Sequence, residues 1–327
     1  MTPPKPLNAL VIGCGRIAGS GAPTSADAEA PTHADAYDRH PSFRMTTCIE
    51  PDERRRLAFM RRWQVPEGFA DLDACIAAQV PFDVASVCAP TPAHAAILWR
   101  LLETPVRAVL CEKPLTDDAG ESARLVDAYR AAGKPLAVAY LRRWNPAMAE
   151  LKRELENGDW GALRTATGLY TRGLLVNGSH LVDLIRYLFG PLALKAVTGK
   201  RIDSEAQDPT VDAVLALDGG VPVHLIAADS RDYALFELHL ITERGAIGIE
   251  RSGHGVRRRR IDEPFHPHHK LLDRGEWEEC SHGDPYFRAL GNLLQALENG
   301  EALASDGESA LEAQRLCEEM IDKAKDL

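Results

Sequence analysis

The chain has 327 residues, 45% of them apolar and 26% charged, which excludes a disordered or collagen-like polypeptide. That length exceeds what one hydrophobic core usually serves, so two domains are expected, an N-terminal one over residues 1–140 and a second over 141–327. Acidic residues outnumber basic ones by 48 to 38, and a net charge of −10 repels nucleic acid and anionic membranes unless basic residues cluster. In chain order, short β-branched runs alternate first with helical patterns. Strands are predicted at Leu7–Ile12, Phe43–Ile49, Asp83–Val87, Val106–Leu110 and Leu136–Tyr140, and helices at Asp52–Trp63, Ala93–Leu102 and Asp117–Ala132. Near-continuous apolar strands separated by helices describe a doubly wound parallel sheet covered on both faces.

Beyond Tyr140 the rhythm changes. Helices are predicted from Pro146 to Glu156 and from Ser179 to Phe189. Strands follow at Arg164–Thr171, Ala193–Lys200, Val211–Leu217, Val221–Ile226, Phe236–Ile241, Ala246–Glu250 and Val256–Ile261, with turn chemistry such as Asp218-Gly219-Gly220 between them. This is an α+β domain on a mostly antiparallel open sheet. Two helices close the chain. Asp284-Pro285 reads as an N-cap and first helical residue, and Ser305–Glu308 has the spacing of a capping box.

The first strand runs into Gly13-Cys14-Gly15-Arg16-Ile17-Ala18, the G-x-G-x-x-G/A fingerprint of a dinucleotide site in its required strand-to-helix context. Gly13 permits a tight turn, Gly15 lets the backbone approach a pyrophosphate, and Ala18 allows close helix–strand packing. Glu50, at the end of the second strand, is placed to accept hydrogen bonds from adenosine ribose hydroxyls and to repel a 2′-phosphate, which favours NAD over NADP. It lies farther from the glycines than is usual because Ser20–Thr32, rich in Ala, Pro and Ser, reads as an inserted surface loop.

The fourth strand delivers Cys111-Glu112-Lys113-Pro114 at the carboxyl end of the sheet, where ligands of such folds sit. A lysine there can stabilise an alkoxide as hydride leaves its carbon. In the second domain His180 and Asp183 share a helix face, a base with a carboxylate nearby. Arg143, Asn145, Tyr170, Arg172 and Asn177 are candidate substrate contacts.

Together Gly13-x-Gly15-x-x-Ala18, Glu112-Lys113-Pro114 and Gly178-Ser179-His180-x-x-Asp183 resemble the Gfo/Idh/MocA oxidoreductases. So do Pro90-Thr91-Pro92-Ala93-His94 and Arg142-Arg143-Trp144-Asn145-Pro146. The resemblance implies a Rossmann domain, a second domain whose open sheet builds oligomer contacts (a homodimer or homotetramer), a nicotinamide cofactor, and a sugar, nucleotide-sugar or cyclitol substrate. On that pattern Lys113 is the catalytic lysine, His180 the acid/base and Asp183 its neighbour. The cofactor site takes in Gly13, Gly15, Arg16, Ile17, Ala18, Glu50, Pro90, Thr91, Pro92, His94, Glu112 and Lys113. Many relatives carry Asp or Asn four residues before the histidine, and here that position is Val176. Asn177 is one residue off that place.

The remaining signals point away from other functions. Arg257–Arg260, with Arg251, form the one dense basic cluster, and their alternation on a strand favours an edge or subunit contact over nucleic acid. His266, His268 and His269 lack a second ligand cluster, so no metal is expected. The seven cysteines are odd in number and scattered, with Cys14 and Cys111 read as small buried residues. With no signal-peptide layout at the N-terminus and no membrane span, the expectation is a cytoplasmic NAD-dependent dehydrogenase or reductase. Two alternatives share the same residues: an NAD-dependent glycoside hydrolase, and a non-catalytic dinucleotide-binding relative.

Overall fold

A computed structural model describes residues 5–21, 32–262, 270–280 and 284–327. Most of the inserted loop and the three histidines at 266, 268 and 269 lie outside them. The chain divides into two compact units, residues 1–144 with 283–311 and residues 145–282 with 312–327.

The first unit is built on β1 (Leu7–Ile12), β2 (Phe43–Ile49), β3 (Glu67–Phe69), β4 (Val84–Val87), β5 (Ala108–Cys111) and β6 (Leu136–Val138). All pair in parallel in the order β3-β2-β1-β4-β5-β6, the dinucleotide-fold order with its switch point between β1 and β4. Every residue of β4 and β5 is buried, which is what apolar runs such as Ala108–Cys111 require when both faces are covered. The covering helices are α1 (His33–Arg39), α2 (Glu53–Trp63), α3 (Leu72–Ala77), α4 (His94–Leu102), α5 (Ala119–Ala131) and, from the distant part of the chain, α8 (Pro285–Asn299). Asp52, Asp71 and Asp118 cap α2, α3 and α5 through side-chain oxygens that accept N–H bonds three residues on.

Several elements differ from the sequence reading. The segments α1, α3 and β3 are seven, six and three residues long, too short to show a period. The expected helix after the glycine loop is a single wide turn, Arg16–Ser20, broken at Gly19 with φ 130°. Asp284 holds the N-cap position before Pro285 as expected, but its side chain makes no cap bond: it takes a left-handed conformation, and its carboxylate receives both Nη atoms of Arg39 at 2.8 and 3.0 Å. The last helix, α9 (Gly307–Ala324), is capped one residue later than expected. Asp306 Oδ1 accepts from Ser309 N at 2.8 Å, while Ser305 Oγ donates to Val138 O and ties the segment to β6.

The second unit holds α6 (Pro146–Glu156), α7 (Ser179–Phe189) and an eight-stranded sheet. Its strands are β7 (Leu163–Tyr170), β8 (Leu192–Arg201), β9 (Thr210–Leu217), β10 (Pro222–Ala227), β11 (Phe236–Thr242), β12 (Gly245–Glu250), β13 (Gly255–Arg260) and β14 (Glu276–Glu279). The order is β14-β13-β12-β11-β7-β10-β9-β8, antiparallel except for the central pair β7–β10. Gly168 lies under α7, where a Cβ would come within 3.0 Å of Leu181, so the small residue sets the helix–sheet distance. On the opposite face Ile226 and Ile241 remain exposed.

The arginines of β13 are not at the sheet edge, because β14 pairs beyond them. Arg258 reaches Glu154 of α6 at 2.9 Å and Glu278 at 2.6 Å, and Arg260 stacks on Trp160. Arg257, on the other face, pairs with Glu250 at 3.0 Å and lies over Trp277. The cluster is thus largely neutralised within its own unit.

Candidate functional site

In the first unit the loop after β1 is a polar cradle. Gly13 donates its N–H to Ile49 O at 2.8 Å and Cys14 donates to Glu50 Oε2 at 3.0 Å, while the N–H groups of Gly15, Arg16 and Ile17 have no intramolecular acceptor among the described residues. Free N–H groups at the carboxyl end of β1 are what a pyrophosphate needs. Gly13 has φ +89°, and a Cβ there would lie 2.7 Å from Ala89 N, so only glycine fits. Above Gly15 there is open space: nothing lies within 4 Å of an added Cβ, the room a phosphate would fill. The residues present therefore fit a dinucleotide.

Glu50 is buried at the end of β2. Besides Cys14 N it accepts from Asp52 N at 3.1 Å, and Arg55 Nη1 stands 3.4 Å from both of its oxygens. The acid thus fixes the glycine loop. Pro90 and Pro92 are exposed beside Thr91 on a tight turn after β4. His94 is buried, with Nε2 2.8 Å from Ala89 O and Nδ1 3.0 Å from Pro114 O, so it ties this turn to the Lys113–Pro114 segment from below.

Lys113 is the second residue after β5 and precedes a cis proline. Its neighbour Glu112 exposes 13% of its side chain and takes two hydrogen bonds at one oxygen, Oε1: from His33 at 3.0 Å and from the Tyr286 hydroxyl at 2.5 Å. Burial raises this carboxyl, but the hydrogen bonds from His33 and the Tyr286 hydroxyl and the Lys113 charge outweigh it, and the group is held below the usual carboxylate range. His33, Ser86, Tyr37 and Tyr286 were absent from the sequence reading. A histidine just past an insertion and a tyrosine 174 positions from Glu112 carry no local signal that joins them.

Arg143 donates to Ala304 O at 3.1 Å, within the first unit. In the second unit Asn145 is buried and caps α6 by accepting from Ala147 N at 2.9 Å. Tyr170 is a correction to the substrate list: it is fully buried, and its hydroxyl bonds the N–H and C=O of Val211, so it braces the sheet.

The segment between β7 and α7 carries Arg172, exposed with φ 68°, and Asn177, whose amide donates to Thr171 O and Leu235 O. That amide is committed to the turn, and Val176 is exposed where a polar residue was looked for. His180 is half-buried and Asp183 buried, one turn apart on α7. Two carboxylates outside the sequence reading shape this segment. Asp203 accepts from Arg172 N, Ser230 N and the Thr210 hydroxyl, and Asp208 accepts from Leu175 N at 2.7 Å and Val176 N at 2.9 Å. Replacing Asp208 by alanine removes an acceptor from two N–H groups, and a loss of about 2 kcal/mol in urea unfolding is expected. A change below about 0.5 kcal/mol would show that this clamp is idle.

Among the described residues there is no cluster of three or more metal-ligating side chains, and no helix is long and apolar enough to cross a membrane. The family model described as an oxidoreductase family with an NAD-binding Rossmann fold, Gfo/Idh/MocA, matches residues 7–140. An inositol 2-dehydrogenase of Corynebacterium glutamicum is 29% identical over 196 residues, 55% of this chain and 57% of that relative. The alignment thus spans little more than half the length of such relatives. Among solved structures, an oxidoreductase of Agrobacterium radiobacter in complex with NAD+, L-tartaric acid and magnesium superposes with a TM-score of 0.79 at 16% identity, covering 98% and 96% of the two chains. A 3-ketoreductase of Actinomadura kijaniata in complex with NADP gives 0.77 at 20% identity, covering 96% of each. At those identities the likeness speaks for the fold. The fingerprint loop, the strand order and the match to the NAD-binding Rossmann fold of the Gfo/Idh/MocA oxidoreductase family all fall on the same residues, 7–140.

Proposed function

We propose that the protein is an NAD-dependent oxidoreductase acting on a secondary hydroxyl of a cyclitol or sugar-like substrate. The observation that carries this reading is the alignment of three groups at the carboxyl ends of parallel strands: the N–H cradle after β1, Glu50 after β2 and Glu112-Lys113 after β5. Bound there, NAD+ supplies the acceptor for the hydride that leaves the carbinol carbon. Lys113 holds the substrate oxygen as its negative charge grows, and His180 removes the hydroxyl proton, which then passes to solvent. A cyclitol is favoured by the inositol dehydrogenase relatives. The exposed face of the eight-stranded sheet, with Ile226 and Ile241, supports a homodimer or homotetramer. The seven cysteines, none of them in a disulfide among the described residues, support a cytoplasmic location.

The direct test is nicotinamide absorbance at 340 nm with purified protein, NAD+ and a panel of inositols, sugars and nucleotide-sugars. Reduction supports the dehydrogenase and names its substrate class. Val176 favours a second reading, a non-catalytic binder, whose signature is NADH binding with no turnover on any compound. Release of an aglycone without net NADH would instead indicate the hydrolase. For the choice of cofactor, Glu50→Ala should raise the NAD dissociation constant about tenfold and narrow the NAD/NADP ratio, with Arg55 left unpaired near the ribose. An unchanged ratio would remove Glu50 from the discrimination.

A further inference from the structure

Behind Glu112 runs a buried chain of four polar side chains from three elements: Tyr37 and His33 of α1, Ser86 of β4, and Tyr286 of α8. His33 Nδ1 is 3.1 Å from Ser86 Oγ, and the Tyr37 hydroxyl is 2.9 Å from the same oxygen. All four residues are at most 2% exposed. The ring of His33 also lies against Tyr286, tilted by 42° with centroids 4.2 Å apart.

The donor directions can be worked out from the acceptor at the end. A carboxylate only accepts, so His33 Nε2 carries a proton and so does the Tyr286 hydroxyl. In the neutral ring Nδ1 is then an acceptor and takes the Ser86 proton, which leaves Ser86 Oγ to accept from Tyr37. Every link has one donor and one acceptor, and the chain ends on Oε1 of Glu112. Its second oxygen, Oε2, takes no hydrogen bond among the described residues. A buried network satisfied on one side and open on the other is costly unless something completes it.

We propose that His33 and Tyr286 are positioning residues that hold Glu112 ionised with Oε2 turned outward, to accept a hydrogen bond from a ribose hydroxyl of the bound dinucleotide. The inference rests on the reading of the site as a nicotinamide dinucleotide site and adds residues that neither the fingerprint nor the Glu-Lys-Pro motif contains. Two donors on one oxygen fix the carboxylate plane and favour its charged form, so the acceptor is in place before the ligand arrives. The groups that face Glu112 are His33 from α1, Tyr286 from α8, Cys88 beyond β4, and its own neighbours Cys111 and Lys113. Burial pushes both thiols up, so they stay neutral, and the two donors and Lys113 set the state of the acid.

The test is NADH binding by fluorescence, measured across pH on the full chain. Tyr286→Phe keeps the ring and removes one donor, so Glu112 should take up a proton at a higher pH than in the wild type. Its NADH dissociation constant should rise about tenfold as pH falls from about 8 to about 6, while that of the wild type stays flat through this acid. His33→Leu should behave alike, and His33→Gln, which can donate to Glu112 and accept from Ser86, should keep the wild-type profile. Melting temperatures identify any variant that has lost its fold, and either pair of variants suffices. Wild-type binding together with flat profiles in Tyr286→Phe and His33→Leu would overturn the inference alone. No NADH binding by the wild type would overturn the dinucleotide reading, and this inference with it.

Discussion

Lys113→Ala is expected to lower turnover by about 10²–10³-fold or more while leaving NADH binding within a few-fold of the wild type. The separation follows from what the side chain is asked to do. A group that acts on the developing alkoxide contributes in the transition state and little in the binary complex, so its loss falls on kcat and kcat/KM together. Lys113 is the second residue after β5, one position from a carboxylate whose hydrogen bonds to α1 and α8 do not depend on the lysine. The backbone of the loop should therefore survive the substitution, and a methyl group cannot donate to the substrate oxygen. Single-turnover reduction of NAD+ with the substrate identified by the panel measures the effect. Turnover within about tenfold of wild type would place the oxyanion partner elsewhere.

The two glycines of the loop should separate stability from binding. Gly13→Ala forces a Cβ to within 2.7–2.8 Å of the backbone of Cys88 and Ala89, at φ +89°. Neither neighbour can move without disturbing β4, whose continuation is tied to β1 by the Cys88 N to Ile12 O bond of 2.7 Å. Steric overlap and left-handed strain together should cost about 3 kcal/mol or more, a fall in Tm of about 5–10 °C, with dinucleotide binding lost. Gly15→Ala meets no atom within 4 Å and keeps an ordinary φ of −75°. Its Tm should stay within a degree or two of the wild type, yet NADH affinity should fall about tenfold or more, because the methyl occupies the space over the free N–H groups. Equal behaviour of the two variants would contradict this division. A Gly15→Ala protein that binds NADH normally would mean that the pyrophosphate does not approach there.

The same loop marks where local reading stops. The residues Gly13, Gly15 and Ala18 were legible because turn chemistry acts over a few positions, and the strand before them is a short run of buried apolar residues. The helix expected after them is a single wide turn, broken at Gly19 where φ is 130°. Asp284 and Ser305 show the same limit at helix ends. Each is a residue type that caps, yet Arg39 and Val138, both far away in the chain, compete for their side chains. Tyr170 is a candidate substrate contact in the sequence, but strand alternation points it into the core, where its hydroxyl bonds Val211.

By itself, the sequence determined the two-part architecture, every strand but β3 and β14, the fingerprint loop with its acid, and the Lys113 and His180 candidates. These follow from periodicity and from motifs whose parts are close in the chain. Only the tertiary structure decided what surrounds them: His33, Ser86, Tyr37 and Tyr286 behind Glu112, and Asp203 and Asp208 under the segment that leads to His180. The physical reason is that a buried polar group needs a partner but not a nearby one in sequence. Folding supplied those partners from 31 to 174 positions away. No local pattern specifies which donor will meet which acceptor at that range.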